Sequence, residues 1–225
     1  MKPWILLDSA DVPDNGGELR LYQRSNDFSI RITGRSELMN SRLHGSEDAL
    51  AKMTCERLKN ATQPDILIGG LGMGFTLAAA LKHAGKQTKI TVAELVPAVI
   101  KWNKGPLGEC AGNPLKDSRA YVHETDVSHL LETQNNAYDA ILLDVDNGPE
   151  GLTRKENNWI YSIDGLSAAH AALKPQGVLA VWSAGPDQTF LQRLRKVGFS
   201  VDETRVFAHG NKGTRHVIWF ARRVV

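Results

Sequence analysis

From Asp65 onward the chain alternates short apolar runs with helical stretches, and this pattern constrains its fold more than any other feature. The candidate strands are Ile66 to Gly69, Lys89 to Ala93, Ala120 to His123, Ala140 to Asp144 and Gly177 to Trp182. Runs that stay apolar through both faces belong in a parallel sheet covered by helices on each side. Between them the sequence predicts helices near Phe75 to His83, Val96 to Trp102, Val127 to Leu131 and Asp164 to Leu173. Lys174-Pro175-Gln176-Gly177 reads as a turn before the fifth strand.

The end of the chain breaks the alternation. A helix from Gln188 to Val197 is followed by strands Phe199 to Phe207 and Arg215 to Ala221, joined only through His209-Gly210-Asn211-Lys212-Gly213. So short a connection permits only antiparallel pairing. The predicted fold is therefore α/β: a Rossmann-like class I methyltransferase fold, with a mainly parallel seven-stranded sheet ending in an antiparallel pair. A dinucleotide-binding domain would continue its parallel units to the end.

Ahead of this lie Leu19, Leu21 and Tyr22, then Phe28, Ile30 and Ile32, separated by the turn-forming Ser25-Asn26-Asp27. They predict a small N-terminal β-hairpin extension over residues 1–45, with the Rossmann-like catalytic domain over 46–225. A helix should start at Ser46 as its cap, with Glu47 and Asp48 complementing the helix dipole and Leu50, Met53, Thr54 and Leu58 on its apolar face. No internal repeat or low-complexity segment interrupts the chain.

Composition removes several function classes. In 225 residues, 27 Lys and Arg oppose 25 Asp and Glu, a net charge of +2 that gives no global reason to expect a nucleic-acid, membrane or acidic partner. Cys55 and Cys110 are too far apart in sequence for a disulfide framework or a zinc spacing, and no His, Cys or acid cluster predicts a metal. The apolar run Trp4-Ile5-Leu6-Leu7 is too short for a signal peptide, and no stretch has the length of a membrane span. A cytoplasmic protein with reduced thiols is expected.

Four features carry chemistry. Ile66-Leu67-Ile68-Gly69-Gly70-Leu71-Gly72-Met73-Gly74-Phe75 runs from an apolar strand through a glycine-rich turn into a helix. Its glycines fall at Gly70, Gly72 and Gly74, after Gly69, in the G-x-G-x-G arrangement of methyltransferase-type domains, whereas a dinucleotide fingerprint would need glycine at Phe75. Glu94 ends the second strand, where a carboxylate can accept both hydroxyl protons of a ribose or simply stand exposed. Asp126 opens a short helix and can accept from an adenine amino group, cap the helix, or do both. Asp144-Val145-Asp146-Asn147-Gly148-Pro149 places two acids beyond a strand's carboxyl end, where open α/β sheets bind ligands; turn formation explains the last three residues better than the two acids.

With these residues in view, the chain resembles the spermidine synthase family of polyamine aminopropyltransferases, especially its short, spermidine-synthase-like bacterial members. The resemblance runs through Gly69-Gly70-Leu71-Gly72-Met73-Gly74, Glu94-Leu95-Val96, Asp117-Ser118-Arg119, Asp126, Tyr138 to Asp144, Ile160-Tyr161 and Leu173-Lys174-Pro175-Gln176-Gly177. Leu38-Met39-Asn40-Ser41 and the hairpin also look like that family's small β-domain. The resemblance implies transfer of the aminopropyl group of decarboxylated S-adenosylmethionine to an amine acceptor. Glu94 would hold the ribose and Asp126 the adenine, Asp144 would help deprotonate the amine, Asp146 would orient it, and Tyr161 would line the pocket. A homodimer is common in the resembled family.

The departures are specific. Where the family's glycine loop carries an aspartate for the cofactor's amino group, this chain has Leu71 or Gly72. Its two strand-end acids are separated only by Val145, and around the start of the helix expected at Ser46 it has Arg42, His44, Gly45, Ser46 and Glu47 instead of the usual Gln, Tyr and Glu. Arg42 and His44 are therefore candidates for binding an acceptor that bears a carboxylate or phosphate. Two alternatives stay open: an S-adenosylmethionine-dependent methyltransferase acting on a small molecule, and a non-catalytic nucleoside-binding module.

Overall fold

The computed structural model describes residues 2–13, 16–34, 37–145, 159–209 and 212–224. The N-terminal part forms an antiparallel sheet of four strands in the order β1-β2-β3-β4, with β1 at Ile5–Asp11, β2 at Glu18–Arg24, β3 at Asp27–Ile32 and β4 at Glu37–Asn40. The expected hairpin is β2–β3, turned at Ser25 with φ 55° and closed by the Arg24–Asp27 pair. The extension is larger than predicted because β1 and β4 flank the hairpin. In β1 the run Ile5-Leu6-Leu7 is exposed and does not alternate, so it lacks the period-2 signature of a half-buried strand. Asp8 fastens β1 to the main body by accepting from Trp102 Nε1 at 2.9 Å and Lys101 Nζ at 3.2 Å.

The main body begins with helix α1, Gly45–Arg57. Here the structure corrects the predicted start: Asp48 N–H already donates to the His44 carbonyl, so the helix begins a residue earlier and Ser46 is not its cap. The Ser46 hydroxyl turns instead to Glu47 Oε2 at 2.8 Å. Parallel units then follow as β5 Asp65–Gly69, α2 Phe75–His83, β6 Lys89–Glu94, α3 Pro97–Lys104, β7 Ala120–Glu124, α4 Val127–Thr133, β8 Tyr138–Leu143 and α5 Ile163–Ala172. The chain closes with β9 Leu173–Ser183, α6 Gln188–Val197, β10 Phe199–His209 and β11 Lys212–Arg223.

These seven strands form one sheet in the order β10-β11-β9-β8-β5-β6-β7. Every neighbour pair from β9 to β7 is parallel, and β11 runs antiparallel to both β9 and β10. Alternation along each strand feeds two cores. Ile66, Ile68, Val92 and Leu142 face α1, α2, α3 and the N-terminal sheet. Leu67, Ile141, Leu143 and Leu179 face α4, α5 and α6.

Two motifs that carried the family resemblance brace this frame. Lys174 Nζ bridges Asp65 and Asp139 at 2.8 and 2.7 Å, tying together three adjacent strands, β5, β8 and β9. The predicted turn at Lys174–Gly177 lies inside β9 as a bulge. Its pairing jumps from Tyr138–Leu173 to Ala140–Val178, with Gln176 at φ 68°. Asp117 and Arg119 pair bidentately, and the guanidinium also donates to the carbonyls of Leu81 and Gly85.

Candidate active site

Strand order reverses between β5 and β8, and in an open α/β sheet the crevice beyond the carboxyl ends of the strands at that point is where a ligand fits. The glycine loop leaves β5 there. At Gly70, φ is 89° and an added Cβ would come within 3.0 Å of the Asp144 carbonyl, so a side chain would prise the loop from the end of β8. Gly74 caps α2 at φ 84°, and a Cβ would strike Asn103 Oδ1 at 2.8 Å. Asn103 clasps the loop, its Nδ2 donating to the carbonyls of Gly72 and Val99 at 2.8 and 2.9 Å. Gly69 packs against Leu143 and Val127, while Gly72 lies under Met39 of β4.

Two adjoining cavities open beside this loop. The first is lined by Gly70, Gly72, Glu94, Asp126 and Asp144, with apolar walls that include Ile30, Ile32, Val96, Val99, Val127 and Ile160. The second is lined by Glu47, Thr76, Asp144, Trp182 and His216, with Glu37, Leu38, Met39 and Leu43 from the N-terminal part. Leu38, Met39, Gly70, Gly72 and Asp144 belong to both, so Asp144 stands where the cavities meet. Among the described residues lining either cavity there is no Lys or Arg.

Glu94 is only 7% exposed, so it is not a solvated strand-end acid. Its carboxylate accepts from Leu71 N–H on Oε2 and Val96 N–H on Oε1, both at 2.8 Å. Burial pushes its pKa up, opposed by these backbone donors. Each oxygen retains acceptor capacity for a ribose hydroxyl while the carboxylate braces the loop. Asp126 caps α4 by accepting from Ser128 N–H on Oδ1 at 2.8 Å and also lines the first cavity, so both readings made from the sequence are geometrically compatible.

Asp144 Oδ2 accepts from Thr76 Oγ1 at 2.6 Å. Burial drives its pKa above the ordinary value, opposed by the Thr76 hydrogen bond. Glu47, in the first turn of α1, is pushed up to about 8 by burial and by the neighbouring Asp144 charge. Burial also depresses the His216 imidazole, which favours its neutral form.

Other candidates sit elsewhere. Tyr161 is 1% exposed and packs on Phe190 rather than lining either cavity; its hydroxyl donates to the Val145 carbonyl at 3.1 Å and so steadies the segment that carries Asp144. Arg42 and His44 are not brought to the cleft. The Arg42 guanidinium lies 3.8 Å from Asp27, and His44 stacks on Phe75 with its Nδ1 2.9 Å from Asp48, lining a separate depression. Acidic partners within a few residues or across a turn take up both groups. Asp146 falls outside the described residues. Glu47, Thr76, Asn103, Trp182 and His216 escaped the sequence-based reading of the site because long-range packing brings them there. The only advance signal was the conjunction of Glu47 with a helix start and Thr76 with the glycine loop.

Among the described residues no group of three His, Cys, Asp or Glu could hold a metal ion, and no helix is long and apolar enough to cross a membrane.

Comparison with known proteins agrees with this geometry. Residues 45–198 match the family model described as the spermine/spermidine synthase domain. A polyamine aminopropyltransferase of Prochlorococcus marinus (strain AS9601) is 31% identical over 147 residues, covering 62% of this chain and 50% of the relative. One from Oceanobacillus iheyensis is 26% identical over 203 residues, covering 89% of this chain and 37% of the relative. The chain thus spans about half the length or less of these curated relatives. The crystal structure of spermidine synthase from Thermotoga maritima superposes with a TM-score of 0.74 at 18% identity, covering 97% of this chain and 72% of that one. A spermidine synthase in complex with the transition-state analogue AdoDATO superposes equally well, at TM-score 0.74.

Proposed function

The chain belongs to the spermine/spermidine synthase family, and from that premise we propose that it transfers an aminopropyl group from decarboxylated S-adenosylmethionine to a cationic amine. The observation that carries this reading is the position of Asp144, half-buried where two cavities meet that no described Lys or Arg lines. An acceptor ammonium would find carboxyl partners there. Among the described residues lining these cavities, the carboxylate of undecarboxylated S-adenosylmethionine would find acids and no basic side chain, which supports the decarboxylated cofactor.

The residues of the first cavity fit a nucleoside sulfonium. The glycine loop permits close approach, Glu94 would hold the ribose, Asp126 would accept from the adenine, and Val96, Val99 and Val127 offer apolar wall. The bound sulfonium would supply an electrophilic carbon and a neutral thioether leaving group. Asp144 would take the proton from the acceptor ammonium, because nitrogen needs its lone pair to attack carbon. Thr76 and Tyr161 would hold that acid and its backbone in line with the loop. The reading also carries the division at residues 45 and 46, a cytoplasmic setting and no metal requirement.

One observation favours methyl transfer. Leu71 or Gly72 stands where the resembled family places its loop aspartate, so the loop offers the aminopropyl nitrogen no carboxylate. Calorimetric titration with methylthioadenosine and, separately, S-adenosylhomocysteine tests the choice. Tighter methylthioadenosine binding is the expected result. A clear preference for S-adenosylhomocysteine would replace aminopropyl by methyl transfer, and nucleoside binding without turnover on any amine would leave a binding module.

A further inference from the structure

We propose that Glu47 is the second carboxyl of the reaction centre, sharing one proton with Asp144 across the second cavity and thereby keeping Asp144 basic. The inference rests on the reading of Asp144 as the proton acceptor. It begins from where the chain puts the two acids. Glu47 is delivered by the first turn of α1 and Asp144 by the end of β8, yet both line one cavity.

The other described titratable groups around the pair are engaged elsewhere or held neutral, with the Asp48 charge adding a small upward push on Glu47. Glu37 is occupied, accepting from Ser29 Oγ at 2.6 Å and Asn40 Nδ2 at 2.7 Å. His216 is held toward its neutral form by burial. Asp48, beside Glu47 on α1, is paired with His44. No described Lys or Arg lines the cavity. The pair has one neutral hydroxyl donor each, Ser46 for Glu47 and Thr76 for Asp144.

Two half-buried carboxyls in a cavity that no described Lys or Arg lines do not both ionise readily, because each charge opposes the other at low effective dielectric. Burial displaces Asp144 upward, and burial together with the Asp144 charge pushes Glu47 up to about 8. At neutral pH the pair then holds one proton, and a cationic acceptor supplies the charge that lets it leave. In the transfer itself, the proton of the acceptor ammonium passes to Asp144, the freed lone pair forms the carbon–nitrogen bond, and the carbon–sulfur electron pair goes to sulfur. Solvent finally takes the proton from the pair. Glu47 is a positioning residue in this scheme, since it acts through the basicity of Asp144.

Carboxyl-carbon NMR titration of the free protein tests the pair without any ligand, so its outcome is independent of which group is transferred. Wild-type protein should show Glu47 titrating near pH 8. Asp144→Asn should return Glu47 toward the ordinary glutamate range, and Glu47→Gln should lower the titration of Asp144. Glu47 titrating in the ordinary range in wild-type protein, or unmoved by Asp144→Asn, overturns the proposal. With decarboxylated S-adenosylmethionine and a diamine, Glu47→Gln should move the acid limb of the kcat/KM profile to lower pH. It should also cost about tenfold in kcat with KM within about twofold, and Glu47→Asp should restore much of the loss. Equal loss at every pH with no displaced limb would make Glu47 merely structural. No turnover in wild-type protein would remove the aminopropyl reading while the NMR result still decides the pair.

Discussion

Glu47→Gln should stabilise the free protein, and the gain should grow with pH. The Glu47 carboxyl titrates at 4.5 in an ordinary setting and at about 8 when buried beside Asp144. Between those values the folded chain holds a proton that the unfolded chain has released. Stability therefore falls as pH rises through that interval, having been fully present below it. Each pH unit is worth about 1.4 kcal/mol per proton, so the whole interval sets a ceiling of about 5 kcal/mol. Local relaxation and water entry reduce such penalties, and we expect about 1–3 kcal/mol.

Gln has nearly the same shape and carries no charge, so the variant lacks this slope. Urea unfolding at pH 5, 7 and 9 measures it, with m-values checked for constancy. The curves should converge at pH 5, and the variant should lead by about 1–3 kcal/mol at pH 9. A difference independent of pH, or a wild type that is the more stable form at pH 9, would refute the reasoning. Asp144→Asn should act in the same direction, and the double variant should gain less than the sum, because either change alone relieves the mutual repulsion.

Other consequences follow from single contacts. Gly74→Ala forces a β-carbon into a left-handed position against Asn103, and should cost about 2–4 kcal/mol in urea unfolding while weakening methylthioadenosine binding. Asp126→Asn retains a competent helix cap, so stability should stay within about 0.5 kcal/mol. If Asp126 also accepts from adenine, the same change should weaken methylthioadenosine about five- to tenfold by calorimetry, since the amide can present its donor instead. Lys174→Met strands the acids Asp65 and Asp139 that it bridges, and should cost about 1–2 kcal/mol while leaving nucleoside affinity unchanged.

The parallel frame was legible because its apolar runs are local, and α2 and α6 begin and end where the sequence predicts. The placement of the glycine loop, Glu94 and Asp126 beside one cavity was legible for the same reason, each lying at a strand end or helix start that a few neighbours define. What misled was competition between nearby polar groups. Ser46 has the chemistry of a cap, but its hydroxyl goes to Glu47 while the His44 carbonyl starts the helix. Arg42 and His44 carry the right charge for an acceptor site, but Asp27 and Asp48 are closer. Tyr161 belongs near the site, yet the core takes its ring and only its hydroxyl reaches the strand end. The meeting of Glu47 and Asp144 joins residues almost a hundred positions apart, and no local pattern records it.

The division of labour between segments bears on what sets the acceptor. The groups with chemistry to offer, Gly70, Gly72, Glu94, Asp126, Glu47 and Asp144, all fall within residues 45–198, the part that matches the family model. Glu37, Leu38, Met39 and Leu43 on one side, and His216 on another, enclose the second cavity from outside that part. Met39 lies over Gly72 and walls both cavities, so under the proposed reaction it would shape how the two reactants face each other across Asp144. Specificity between amines would then come from changes of shape in the N-terminal sheet and β11, with the proton-transfer apparatus left intact. Substitutions at Leu38 or Leu43 should therefore redistribute kcat/KM among amines of different length while methylthioadenosine affinity holds, whereas substitutions at Glu94 should weaken every reaction alike. A Leu43 variant that weakens methylthioadenosine as much as it alters amine preference would show that the two cavities do not divide the work in this way.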